Sequence, residues 1–204
     1  DGTYGVKFYS NSGSPIWVTV NSYVPVSSYG SIALAGNTTG SLSGEMWVAL
    51  AEKAFAQANE IGVFGRNISS NSYSSIEGGL MESLKFIIGR NTTALSAYYS
   101  VPNSTGTISS ASNSLSTWNS FESQAISALG SGKSLWMGSW GYSYSNGKYN
   151  FVSGHAFAIT SYNSSTKTYT IANPWGIRAS SSASPTFQAS WADLFDVKAV
   201  VAWA

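Results

Sequence analysis

The sequence has no cysteine, one histidine in 204 residues, and only ten basic and nine acidic side chains. Each scarcity excludes something. Without cysteine there is no disulfide and no thiolate metal site. The 9% charged fraction lies far below the ~25% usual for globular domains. A formal charge of +1 with no Lys/Arg cluster leaves no footprint for a polyanion, so nucleic acid is not an expected partner. No apolar run approaches the ~18–20 residues of a membrane span, and the start lacks a basic-then-apolar signal. The chain opens on Asp1 rather than methionine, from which a processed or excised product is expected.

What the chain has instead is hydroxyl and amide. Serine makes up roughly a fifth of the residues, and 43% are hydrophobic and 14% aromatic. A surface of Ser, Thr, Asn and Gly suggests a secreted or cell-surface protein. The five sequons at Asn37, Asn67, Asn91, Asn103 and Asn163 read either as glycan acceptors or as chance matches in such a composition. The length allows one sizeable domain, or one and a part.

Periodicity divides the chain into three stretches. Tyr4 to Val26 alternates, with Tyr4, Val6 and Phe8 on one face and Ile16, Val18 and Val20 after a turn, which predicts a β-hairpin. Trp47, Leu50, Ala51, Ala54, Phe55 and Ala58 recur at helical spacing, predicting a helix over 45–59 with Glu45 in its first turn. Shorter helical patterns lie near 80–88, and the low-complexity run 100–116 reads as an exposed excursion. A second helix has the stripe Trp118, Phe121, Ala125, Ile126, Leu129, with Asn119 and Glu122 as a capping pair and Gly130 as its stop. Residues 133–140, 150–162, 168–173 and 197–204 read as strands, with a tight turn at 163–167. Helices ahead of an antiparallel sheet make an α+β architecture.

The lone His155 begins an apolar strand, and Asn173 follows it after the turn, opening Asn-Pro-Trp-Gly. In thiol proteases an imidazole takes the thiol proton while an Asn carboxamide fixes the ring. Trp175 is placed to shield that bond from water. Taken alone, the His could equally be a structural residue and Asn-Pro-Trp-Gly only a turn.

Six segments in order bear on this choice: "DGTYGVKFY…PIWVTVNSYVPV", "GEMWVALAEKAFAQAN", "SIEGG", "WNSFESQAISALGSGKSLWMGS", "GHAFAIT" and "IANPWG". Together they resemble the calpain family of cysteine peptidases over nearly the whole chain. The resemblance implies a papain-like α+β protease core, incomplete at its N-terminal side. Residues 1–60 would end the nucleophile-bearing half and 61–204 would form the base-bearing half, with a polypeptide substrate extended in the cleft between them. It implies His155 as general base, Asn173 as its orienting partner, Trp175 as shield, and Glu45 as a ligand of one calcium ion.

Three departures accompany these implications. The family's nucleophilic Cys lies upstream of the first strand pair, before this sequence begins. The second calcium site's acidic residues have no counterpart in "IRASSSASPTFQAS". The stretch 87–116 is longer and richer in serine than the family pattern. Gly44-Glu45-Met46-Trp47 also echoes the nucleophile's Gly-x-Cys-Trp, which would make Met46 a replaced cysteine, although the residues that follow match the later helix better. The leading expectation is a calpain-like cysteine endopeptidase chain that works only with a Cys-bearing upstream segment or chain. The alternative readings are a catalytically inactive calpain-like binding module and a β-rich adhesin or sugar-binding domain.

Overall fold

The computed structural model describes residues 2–24, 46–65, 73–76, 83–98, 109–140, 144–145, 150–174 and 186–204. The chain forms two compact units, residues 1–79 with 83–90, and residues 80–82 with 91–204.

The first unit begins with strands β1 (Thr3–Tyr9) and β2 (Pro15–Asn21), antiparallel with Val6 opposite Val18. Alternation turns Phe8, Val18 and Val20 inward, while Trp17 on the other face packs over Gly5 and stays exposed. Helix α1 (Met46–Glu60) buries Leu50, Ala54 and Ala58. Trp47 does not join that stripe: it is 65% exposed, so the buried face starts one turn later than the periodicity suggests. Lys53 fastens α1 to the end of β2, donating to Asn21 O (3.2 Å), Asn21 Oδ1 (2.5 Å) and Tyr23 O.

Four phenylalanines hold this unit. Phe8 meets Phe55 and Phe64 edge-on, and Phe64 stacks on Phe55 at 4.5 Å and on Phe86 at 4.4 Å. Phe86 belongs to helix α2 (Ser83–Ile88), which follows a 3-10 turn at Tyr73–Ile76. Each such pair contributes roughly 0.5–1.5 kcal/mol beyond the area it buries. The stack holds α2 to the hairpin and α1, and this unit runs to Arg90.

The second unit carries a seven-stranded sheet. Its strands are β3 (Thr93–Ser96), β4 (Ser110–Ala111), β5 (Leu135–Ser139), β8 (His155–Asn163), β9 (Thr168–Ala172), β10 (Thr186–Ser190) and β11 (Ala199–Trp203). A separate short pair comprises β6 (Tyr144–Ser145) and β7 (Asn150–Phe151). The sheet order is β10-β9-β8-β5-β11-β3-β4. All pairs are antiparallel except β3 with β4, so the sheet is mixed rather than wholly antiparallel as expected.

The inner face, built from Leu95, Met137, Phe157, Ile159, Tyr169, Ile171 and Val201, packs with the buried residues of α3 (Leu115–Gly130) and α4 (Trp191–Asp196). Helix α3 begins earlier than expected. Its N-cap is Ser114, and Asn119 lies within the helix instead of capping it. Glu122 accepts from the Tyr169 hydroxyl at 3.2 Å instead of completing a cap. The expected excursion at 100–116 is likewise corrected at its end: β4 joins the sheet and Ser112 is buried. Residues 100–108 of that run lie outside the described residues.

Candidate active site

The loop joining β8 to β9 is short because Asn163 closes it. Its side-chain oxygen accepts the N–H groups of Ser165 (2.9 Å) and Thr166 (3.2 Å), and Lys167 completes the reversal at φ 56°. Asn173 is the residue after Ala172, which faces Ala158 across the two strands. Tyr169 and Ile171 on β9 turn inward by alternation, and Asn173, just past its end, is buried on the same side.

His155 reaches that face through an irregularity. Tyr162 packs inward against Tyr169, and seven positions separate it from His155. A regular strand with that odd spacing would turn His155 to the opposite face. Register shifts between Ile159 and Ser161, leaving Thr160 as an extra residue, and the bulge keeps Phe157, Ile159 and His155 inward.

The outcome is a bond of 3.0 Å between His155 Nε2 and Asn173 Oδ1. An amide oxygen only accepts, so Nε2 carries the proton, and in the neutral ring the basic lone pair lies on Nδ1. Asn173 is 5% exposed while His155 is half-buried, so the carboxamide is shielded and the imidazole sits at the rim. Phe157 meets the imidazole edge-on, with ring centroids 4.7 Å apart at 90°. Phe157 is itself wedged against Phe151 and Phe187. One face of the imidazole thus rests on a fixed wall while the carboxamide sets its tilt. This arrangement can hold a proton acceptor at a fixed angle and tautomer.

The structure brings together His155 and Asn173 from the sequence-derived set. Trp175 and Glu45 lie outside the described residues, as does the side chain of Met46, whose backbone begins α1. No three His, Asp or Glu side chains gather as a metal site among the described residues. Asp193 is engaged in the cap of α4, accepting from Ser190 N and Ser190 Oγ at 2.7 Å each. No helix among the described residues is long and apolar enough to cross a membrane.

Two neighbours of the pair were missed from sequence. Phe157 reads in the sequence only as an apolar residue of the 150–162 strand. Ser139 continues the inward series Leu135, Met137, Ser139, and a buried hydroxyl in that series needs a partner, which was a usable signal.

The α+β unit thus carries a His–Asn bond at the matching ends of two neighbouring strands, in a chain with no thiol. The family model for calpain family cysteine protease matches residues 1–197, and the chain belongs to that family. No curated protein sequence matches it.

Proposed function

We propose that this chain supplies the His/Asn part of a Cys-His-Asn triad in a calpain-like endopeptidase, with the cysteine on an upstream segment or separate chain. The observation that carries the reading is the 3.0 Å bond from His155 to Asn173 in a family member that contains no cysteine. In the assembled site, Nδ1 of His155 takes the thiol proton, and the thiolate attacks the carbonyl carbon of a polypeptide substrate. The imidazolium formed, its ring angle held by Asn173, then gives that proton to the departing amine. An acyl-enzyme remains. Water, deprotonated by the same nitrogen, hydrolyses it and restores the thiol.

The test is co-expression of the 204-residue chain with the upstream Cys-bearing segment, intact and with that cysteine changed to alanine. Peptide hydrolysis should require both the cysteine and His155. Substituting His155 by alanine should lower kcat by about 10²-fold or more, the usual contribution of a general base. Hydrolysis by the chain alone would defeat the split-triad reading. The absence of cysteine also favours a second reading, a calpain-like module that binds polypeptides without cutting them. Tight peptide binding with no turnover in the assembled protein would select it.

A further inference from the structure

We propose that Ser139 is a positioning residue for His155, acting through the turn that launches β8. The proposal rests on the reading of His155 as the base. Ser139 is 1% exposed and stands opposite His155 in the β5–β8 register. Its single hydroxyl proton is shared between Val152 O and, at 3.2 Å, His155 O. Its main-chain carbonyl accepts from Gly154 N at 2.7 Å. One residue therefore grips the turn at Val152, Gly154 and His155.

The turn cannot take its shape from a regular ladder. Gly154 sits at φ +68°, a conformation that side chains rarely adopt. A strand entering through such a residue is free to swivel about it unless something fixes both sides. Ser139 supplies that fixation from a strand that is paired on both of its sides, to β8 and to β11. Farther along, Met137 pairs with Phe157, so the same strand also sets the wall behind the imidazole. The angle at which the ring meets Asn173 is thus determined on β5 as well as on β9.

A hydroxyl that only stabilised the fold would be replaceable by any change of equal cost elsewhere. A positioning hydroxyl would not be. Because the chain has a single imidazole, its proton and nitrogen signals can be followed by NMR without ambiguity. In the unmodified chain the ring should show one set of signals, an Nε2-bound proton, and Overhauser contacts to Phe157.

Ser139→Ala should weaken those contacts at least about twofold and broaden or split the ring signals, and Ser139→Thr, which restores a hydroxyl, should recover them. Leu95→Ala, on the inner face of β3 and three strands away from β8, serves as the control: it loosens the same sheet and should leave the imidazole signals in place. Should Ser139→Ala fail to fold, Gly154→Ala strains the same turn with nothing within 4 Å of the new methyl, and should produce the same loss. Unchanged imidazole signals in a folded Ser139→Ala or Gly154→Ala variant would overturn the proposal, as would an equal change in Leu95→Ala. None of these measurements needs a cysteine. Absence of proteolysis after assembly would therefore count against the proposed function and not against this geometry. In an active assembly, Ser139→Ala should lower kcat roughly tenfold with KM unchanged.

Discussion

Trp118 and Trp191 each donate an indole N–H to the other's main-chain carbonyl, at 2.9 and 2.8 Å, with their rings stacked 4.4 Å apart and 7° from parallel. They are 73 positions apart in the chain, and the exchange locks α3 to the start of α4 beneath the sheet. Both are almost completely buried, so each indole proton satisfies a carbonyl that has left water.

Substituting Trp118 by Phe keeps a ring in the stack but removes one donor. The carbonyl of Trp191 keeps its place in the first turn of α4 but loses this donor, at a cost of about 0.5–1.5 kcal/mol. Urea denaturation should show this as a lower midpoint with an unchanged slope. A loss below about 0.5 kcal/mol would mean that the reciprocal bonds contribute little beyond ring contact.

Stability should also fall in alkali through Tyr169. Burial, with the Glu122 carboxylate beside it, raises the hydroxyl well above the ordinary tyrosine range. The folded chain then keeps a proton that the unfolded chain releases near pH 10. Stability is fully present below that pH and declines as pH climbs from it toward the raised folded value, by up to about 1.4 kcal/mol per pH unit for this one group. Melting temperature measured from pH 8 to 11 should drop less steeply in Tyr169→Phe than in the parent chain. Parallel curves would assign the alkaline loss elsewhere.

In the first unit the sensitive position is Gly89, at φ +71° after α2. A methyl built there would lie 2.5 Å from the Tyr9 ring. Gly89→Ala combines backbone strain with overlap against a ring and should cost at least about 2 kcal/mol. Protease resistance of the α2 segment is a direct reading. Retained resistance would show that Tyr9 can swing away.

What the sequence made legible was whatever repeats. The hairpin, α1, α3 and the apolar strands follow from alternation or from helical spacing, and the His–Asn pair follows from its place around one short turn together with the family resemblance. The misses were positions where a neighbour overrides the pattern. Trp47 fits the stripe of α1 but is exposed, because α1 packs from Leu50 onward. Asn119 looks like a cap, yet Ser114 already starts the helix. Strands β3, β4 and β10 are too short or too polar to announce themselves, and only the completed sheet pairs them. Thr160 gives no hint of a bulge. It follows only from the need to bury Tyr162 and Phe157 on the same face.

That bulge can be tested by removal. Thr160 is the residue without a one-to-one partner, with Ile159 opposite Ile171 and Ser161 opposite Thr170. Deleting it should regularise the ladder and leave His155 facing Asn173, with the Nε2-bound proton retained in the NMR spectrum. Loss of that signal in a folded deletion variant would mean that the extra twist of the bulge is needed to aim the ring.

On the outer surface of the same strands, Thr166 bonds Thr168, Thr168 bonds Gln188, Gln188 bonds Thr170, and Ser161 bonds Thr170, at 2.7 to 3.0 Å. Cross-strand pairs in this position are often ionic, and salt weakens them. Here they are neutral, so an electrolyte has nothing to shield. Raising sodium chloride from about 0.01 to 1 M shortens the reach of a charge from about 30 to 3 Å. Amide exchange in β8–β10 should nevertheless stay constant across that range. The sheet that carries His155 would then hold its shape equally well in fresh water and in brine.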